Sequence, residues 1–445
     1  MTRKYFGTDG VRGRVGTDPL TVEFALRLAS AAARVLAPDG GSVLIGKDTR
    51  VSGYMFEAAL EAGFVAAGVN VYLTGPLPTP GVAYLAQQLR CDFGVVISAS
   101  HNGFEDNGIK FFDGKGGKLS DEVEGRIEAL LDAPPVTVES ERIGRALRVD
   151  RSRSLYQDAC ARTMPAGYTL KGLKIVIDCA NGAAYKVAPR VLTELGAEIV
   201  PIGCSPNGRN INSGCGSTQP ALLQLTVPGV RADVGIALDG DGDRLVMVDH
   251  LGRTVDGDQL LYVLARGRQR DGTLQGPVVG TVMSNLGLEH ALAALGIPFR
   301  RAAVGDRYVL ELLRETGGII GGETSGHILC LDKTTTGDGL VSALQILAIM
   351  QQTGAKLAEL VAQMEQYPQV MLNVRVAKRL DLKTRPEVAA AVAAAEARLG
   401  GEGRVVLRAS GTEPVIRVMV EGRDEAVVRA EAEALARVVE AAAVA

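Results

Sequence analysis

Apolar and polar positions along the chain follow two alternating periods. Residues 20–37 place apolar side chains at helical spacing and stop at Pro38-Asp39-Gly40-Gly41. The run Val43-Leu44-Ile45 is short and unbroken, which reads as a buried strand. Helical spacing returns over 55–69, Val71-Tyr72-Leu73 reads as strand, 80–89 as helix and 93–97 as strand. Strands alternating with helices predict a mixed or parallel sheet covered on both faces.

One pattern recurs: a short apolar strand runs into a loop of glycine and polar residues. It occurs at 44–50, 95–103, 175–182, 236–244, 277–285 and 319–327. Two such loops in each of three successive stretches predict three α/β domains of related build. Ligands of such sheets sit outside the carboxyl ends of the strands, where these loops lie. The tail differs. Residues 369–376 alternate like a strand, 386–399 read as an Ala-rich helix, 405–408 and 415–420 as strands, and 424–443 as a last helix. This β-α-β-β-α order predicts a smaller C-terminal α+β domain. Pro134-Pro135, the stretch 250–258 and Tyr367-Pro368 mark breaks. The expected architecture is α/β: three related mixed α/β domains (1–150, 151–255 and 256–367) and the small domain 368–445, set around a central cleft.

Composition narrows the class. At 445 residues, 47% hydrophobic and 22% charged, the chain is too long for one core and too apolar for disorder. A net charge of −3 argues against a general nucleic-acid binder, while leaving room for a few arginines on an anionic ligand. The six cysteines are scattered and form no Cys-x-x-Cys pair, so reduced thiols are expected rather than a disulfide framework or a zinc site. The N-terminus carries no apolar leader, and no apolar run reaches the ~18 residues of a membrane helix. A cytoplasmic protein without membrane or nucleic-acid partners is the expectation.

Four loops carry candidate chemistry. In Asp239-Gly240-Asp241-Gly242-Asp243-Arg244 the glycines let three carboxylates converge. Two unit charges about 4 Å apart repel by about 4 kcal/mol at an effective dielectric of about 20, so converging carboxylates call for a cation. Oxygen ligands favour Mg²⁺ over a soft metal. A solvated acidic turn is the alternative; an EF-hand fails, because its glycine position holds Arg244 and its twelfth position His250. In Ser98-Ala99-Ser100-His101-Asn102-Gly103, a hydroxyl at a strand end can act as nucleophile or carry a phosphoryl group, although a plain turn has the same composition. His101 and Lys110 read equally as a structural hydrogen-bonder and a surface lysine. Arg408-Ala409-Ser410-Gly411-Thr412-Glu413-Pro414, with Arg417 beyond, offers backbone N–H groups, hydroxyls and guanidinium forks suited to phosphate, or a hairpin turn with solvated arginines. Glu323-Thr324-Ser325-Gly326-His327 could grip vicinal hydroxyls and move protons, or serve as a Gly-rich connector.

These loops, in this order and preceded by Phe6-Gly7-Thr8-Asp9-Gly10-Val11-Arg12-Gly13, resemble the α-D-phosphohexomutase superfamily along essentially the whole chain. Within it the chain is most similar to the bacterial phosphoglucosamine mutase subgroup. The marks are Asn210-Ile211-Asn212, Cys215-Gly216-Ser217-Thr218, the segment 282–287, the segment 304–309 and the segment 331–339. Gly103 stands where the superfamily has proline, Thr324 where the subgroup has glutamine, and Ala409 where proline or lysine is usual.

The resemblance implies roles. Ser100 would be a phosphoserine, and Asp239, Asp241 and Asp243 would hold one Mg²⁺ together with a phosphoryl oxygen on Ser100. Glu323 and Ser325 would bind sugar hydroxyls. Arg408, Ser410, Gly411, Thr412 and Arg417 would hold the non-reacting phosphate. Lys110 and His327 would lie near the reacting hydroxyl as acid/base groups, with His101 beside the serine. Arg12, Arg244 and Arg307 would balance phosphoryl charge, Arg307 on the substrate. The implied reaction interconverts glucosamine 6-phosphate and glucosamine 1-phosphate through a 1,6-bisphosphate, with glucosamine or glucose 1,6-bisphosphate as activator. It would supply UDP-N-acetylglucosamine and cell-wall synthesis. The implied partner is a small-molecule sugar phosphate, and a homodimer is allowed for. The alternatives are a phosphomannomutase or phosphoglucomutase of the same superfamily and a non-catalytic sugar-phosphate-binding regulator. The presence of Ser100 and all three aspartates stands against the regulator.

Overall fold

The computed structural model describes residues 4–7, 9–376, 385–409 and 415–444. Four sheets follow one another along the chain. The first runs Val11–Arg14, Asp106–Asp113, Phe93–Ile97, Gly41–Lys47, Val69–Pro76, Ala146–Arg148 in spatial order. The second runs Thr254–Val255, Leu245–Asp249, Val234–Leu238, Lys174–Asp178, Glu198–Ile202. The third runs Phe299–Ala302, Val278–Thr281, Ile320–Gly322, Ile328–Cys330, and the fourth Gln369–Arg375, Val415–Gly422, Gly403–Ala409. The first three are mixed, as expected, and the fourth is antiparallel throughout. Helices begin where polar caps sit: the Thr21 side chain accepts from Phe24 N, and Asp256 with Gln259 forms a capping box ahead of Gly257–Arg270. Helix Gly339–Thr353 is buried from Gly339 to Met350, so its apolar residues need no stripe.

Three of the four chemical loops are turns of antiparallel hairpins, and the strands on either side of the fourth pair in the same way. The strand Phe93–Ile97 returns as Asp106–Asp113, Val234–Leu238 as Leu245–Asp249, Ile320–Gly322 as Ile328–Cys330, and Gly403–Ala409 as Val415–Gly422. Sequence reading found the approach strand of the first three and missed the return. In Asp-Asn-Gly-Ile-Lys-Phe-Phe-Asp the polar residues and the glycine disfavour a strand, and pairing on both edges overrides them.

The first three units share an apolar core. It runs from Leu44, Val82 and Phe112 of the first unit through Ile175, Ile236 and Leu261 to Leu344 and Leu357. The C-terminal unit has a separate core around Val374, Ile416, Val418, Leu435 and Val439. Polar groups tie it to its neighbour. Fully buried Glu421 accepts from Leu286 N at 2.8 Å and from Arg404 Nε at 2.6 Å. Arg404 also donates to the Val282 carbonyl at 2.8 Å and the Ser284 carbonyl at 2.5 Å. The six cysteines are unpaired, and five of them are buried. Among the described residues, no helix is long and apolar enough to cross a membrane.

Candidate active site

Ser100 tops the first hairpin in the left-handed region, at φ 51°. That backbone is held from below. The fully buried Arg50 guanidinium donates to the carbonyls of Ser100 and Asn102 at 2.9 Å and of Asp106 at 3.1 Å, and also to that of Gly103. Its Nε is fixed on Asp48 at 2.8 Å. Asn212 Nδ2 donates to the carbonyls of Ser100 at 2.8 Å and Asn102 at 2.9 Å. Ser98 Oγ accepts from Ser100 N and donates to Asp48. A carbonyl cluster that would otherwise repel is thus bound to one cation and one amide, and the serine hydroxyl is left facing the second unit.

There it meets the acidic loop. Ser100 Oγ donates to Asp239 Oδ2 at 2.5 Å. One carboxylate oxygen from each of Asp239, Asp241 and Asp243 lies within 4.8 Å of the others, and all three side chains are buried. A Cβ on Gly240 would stand 2.6 Å from the Ser100 carbonyl, so only glycine lets the two loops approach. Gly242 takes φ 75°, which turns the loop between Asp241 and Asp243. Asp241 Oδ1 and Asp243 Oδ1 are buried without a hydrogen-bond partner. Burial, then Asp243 and Asp241, push the Asp239 carboxyl well above its ordinary range. Orphaned oxygens, a hard donor set and a repelled carboxylate fit a divalent cation bound at this triad.

Cations ring the triad. Lys110 Nζ is 2.8 Å from Asp241 and 2.9 Å from Asp9, and Thr79 Oγ1 donates to Asp241 at 2.6 Å. Burial lowers the Lys110 pKa, but Asp241 and Asp9 outweigh it and hold the ammonium charged. His327 lies 3.7 Å from Asp243 and 3.4 Å from Asp306. Burial opposes its charge, yet Asp306 and Asp243 raise its pKa to about 9. His101 goes the other way. Burial, then Arg244 and Arg12, lower it to about 4, and its Nδ1 sits 3.4 Å from Ser100 Oγ.

Ser100, Asp243, Arg12, Arg244, His327, Glu323 and Arg408 line one cleft of about 650 Å³. A neighbouring cavity of about 260 Å³ takes in Glu323, Ser325, Arg408 and Arg417. Arg408 and Arg417 are directly opposite in the last hairpin, and among the described residues neither meets a carboxylate. Like charges facing across a ladder are destabilising unless an anion joins them. Ser410, Gly411 and Thr412 lie outside the described residues. Below Glu323, Asp258 accepts from Asn285 N at 2.8 Å and Thr324 Oγ1 at 2.7 Å; burial, then Asp256, push its carboxyl up to about 7.

The structure corrects one expectation. Arg307 does not face the cleft. It occupies the first turn of helix Asp306–Thr316, whose start abuts the acidic first turn of helix Asp121–Glu128. Its guanidinium bonds Asp121, Glu124 at 2.9 Å and the Leu119 carbonyl at 3.1 Å. Sequence reading also passed over Asp9, Asp48, Arg50, Thr79, Lys118 and Asp306. The strand-end loop 46–50 carried a signal for two of these, and Asp9 stood inside a motif already quoted.

Four family descriptions match in succession: Phosphoglucomutase/phosphomannomutase alpha/beta/alpha domain I over residues 3–135, domain II over 156–252, domain III over 256–367, and the C-terminal domain over 371–438. The chain belongs to the phosphoglucomutase/phosphomannomutase family. Among its relatives, the phosphoglucosamine mutase of Thiobacillus denitrificans is 59% identical, with 100% of this chain and 99% of that protein aligned. That of Alkalilimnicola ehrlichii is 58% identical over 98% and 97%. Among solved structures, a putative phosphomannomutase from Thermus thermophilus superposes with a TM-score of 0.80 at 26% identity, over 98% of each chain. The N-acetylphosphoglucosamine mutase of Aspergillus fumigatus, in complex with GlcNAc-6P and magnesium, shares the fold at a TM-score of 0.70 and 20% identity, over 99% of this chain and 96% of that one.

Proposed function

We propose that the chain interconverts glucosamine 6-phosphate and glucosamine 1-phosphate through a phosphorylated Ser100. The observation that carries this reading is the Ser100 hydroxyl seated on Asp239 inside a buried carboxylate triad. Full-length similarity to phosphoglucosamine mutases supports the amino sugar as substrate. Phospho-Ser100 gives its phosphoryl group to the 1-hydroxyl. The Oγ–P bond breaks as the O1–P bond forms, and the hydroxyl proton leaves to an acceptor in the cleft. His101, beside the Ser100 hydroxyl, and Lys110 and His327, beside the aspartates, are the candidate acid/base groups. The resulting 1,6-bisphosphate turns around, and its 6-phosphoryl returns to Ser100.

Asp239, Asp241 and Asp243 would hold Mg²⁺, which when bound supplies positive charge to the phosphoryl oxygens. Arg12 and Arg244 add charge at the same end of the cleft. Glu323 and Ser325 would orient the sugar hydroxyls, and Arg408 and Arg417, with Ser410, Gly411 and Thr412, the phosphate that does not react. Ser100→Ala should lower mutase turnover by at least about a thousandfold even with bisphosphate supplied. Intact mass should show a phosphoryl group on the parent protein and none on the variant. A variant that keeps near-parental turnover would overturn the reading. Turnover of glucosamine 6-phosphate well above that of glucose and mannose 6-phosphates is expected, and the reverse order would assign the site to a neutral sugar.

A further inference from the structure

We infer that Arg307 and Lys118 are positioning residues that clamp the 304–307 loop, on which the sugar-gripping Glu323 rests, against the unit carrying Ser100. The inference rests on the role proposed for Glu323. The clamp can be followed atom by atom. Lys118 is bridged through its backbone to Phe112, on the return arm of the Ser100 hairpin. Its Nζ lies 2.5 Å from Asp306 Oδ2 and 2.5 Å from Asp9 Oδ1. The next residue, Arg307, is held by Asp121, Glu124 and the Leu119 carbonyl. On the other side of Asp306, Gly305 N donates to Glu323 Oε1 at 3.0 Å. A further tie lies close by: Thr335 Oγ1 donates to the Gly116 carbonyl at 2.9 Å.

The chemistry explains why charges are used. Two helices, Asp121–Glu128 and Asp306–Thr316, bring their N-terminal ends together, and both ends carry partial positive charge. Asp121 and Glu124 on one helix neutralise that field and bind the guanidinium of the other. Buried ion pairs add little net stability against a well-packed apolar contact, but they are sensitive to register. A slip of the 304–307 loop would break the Lys118–Asp306 and Arg307–Glu124 pairs at once. The pairs therefore fix the separation between Glu323 and Ser100, which must match the span of a hexose.

The test uses the full chain. Arg307→Met and Glu124→Gln should each raise KM for glucosamine 6-phosphate about tenfold, with kcat held within about twofold. The double variant should raise KM by less than the product of the two single effects, because both remove the Arg307–Glu124 pair. Hydrogen exchange at residues 305–309 should quicken in both variants. Direct contact between Arg307 and substrate would raise KM in Arg307→Met alone, and would overturn the inference. So would independent, multiplying effects, or unchanged exchange at 305–309. Should Arg307→Met fail to fold, Glu124→Gln and Lys118→Met are read in the same way. Should the parent protein turn over no hexose phosphate, the functional reading fails, and exchange at 305–309 alone decides the clamp.

Discussion

The junction among the first three units and the junction to the fourth differ in whether an apolar core crosses them. Beneath its polar contacts the former has a continuous apolar core, from Leu44 through Ile236 to Leu344. The latter rests on Glu421, Arg404 and the backbone of 282–286, beside a core the last unit keeps to itself. Close-packed apolar contact has few alternative arrangements, whereas a few directional hydrogen bonds can be broken and remade. The stiff part carries Ser100, the aspartates and Glu323. The separable part carries Arg408 and Arg417, which in the proposed reaction must receive the phosphate from either end of the sugar.

Four variants would break or sharpen this contrast. Glu421→Ala strips Leu286 N, Arg404 and Gln369 of a shared buried acceptor and should cost about 3–5 kcal/mol at the junction. Calorimetry should then resolve a separate, lower transition for the C-terminal unit; one merged transition would mean the units do not divide as the cores suggest. Leu344→Ala should cost about 2–5 kcal/mol in the shared core and lower the main transition. Leu435→Ala, of similar size, should move only the C-terminal one. The smallest effect is a pH effect. Folded Asp258 keeps its proton up to about pH 7, while an unfolded aspartate releases it near 4. The folded state therefore binds more protons across that window, and stability falls as pH rises through it. Asp258→Asn should remove that decline, flattening the variant's stability curve relative to the parent between about pH 4 and pH 8 in urea melts. Parallel curves would show that this aspartate does not report on the ground beneath Glu323.

Legibility from sequence followed the physics of each signal. Buried strands such as Phe93–Ile97 and the β-α-β-β-α tail were readable because apolar runs and helical spacing are local. The Asp239–Asp243 triad was readable because alternating carboxylates in one short loop are costly without a partner. Arg50 was not, since nothing in its neighbours says that four distant carbonyls will converge on it. Arg307 was misplaced for the same reason. An arginine among motif residues suggests an anion in the cleft, and the carboxylates that claim it, Glu124 and Asp121, lie 183 and 186 residues away in sequence.

All four chemical loops join paired strands, so that both arms of each are locked in a ladder. Surface loops ordinarily accept inserted or deleted residues with little consequence. Here one extra residue would shift an arm by one position and turn its alternate side chains to the wrong face. In this protein the length of each loop is therefore as heritable a character as its letters.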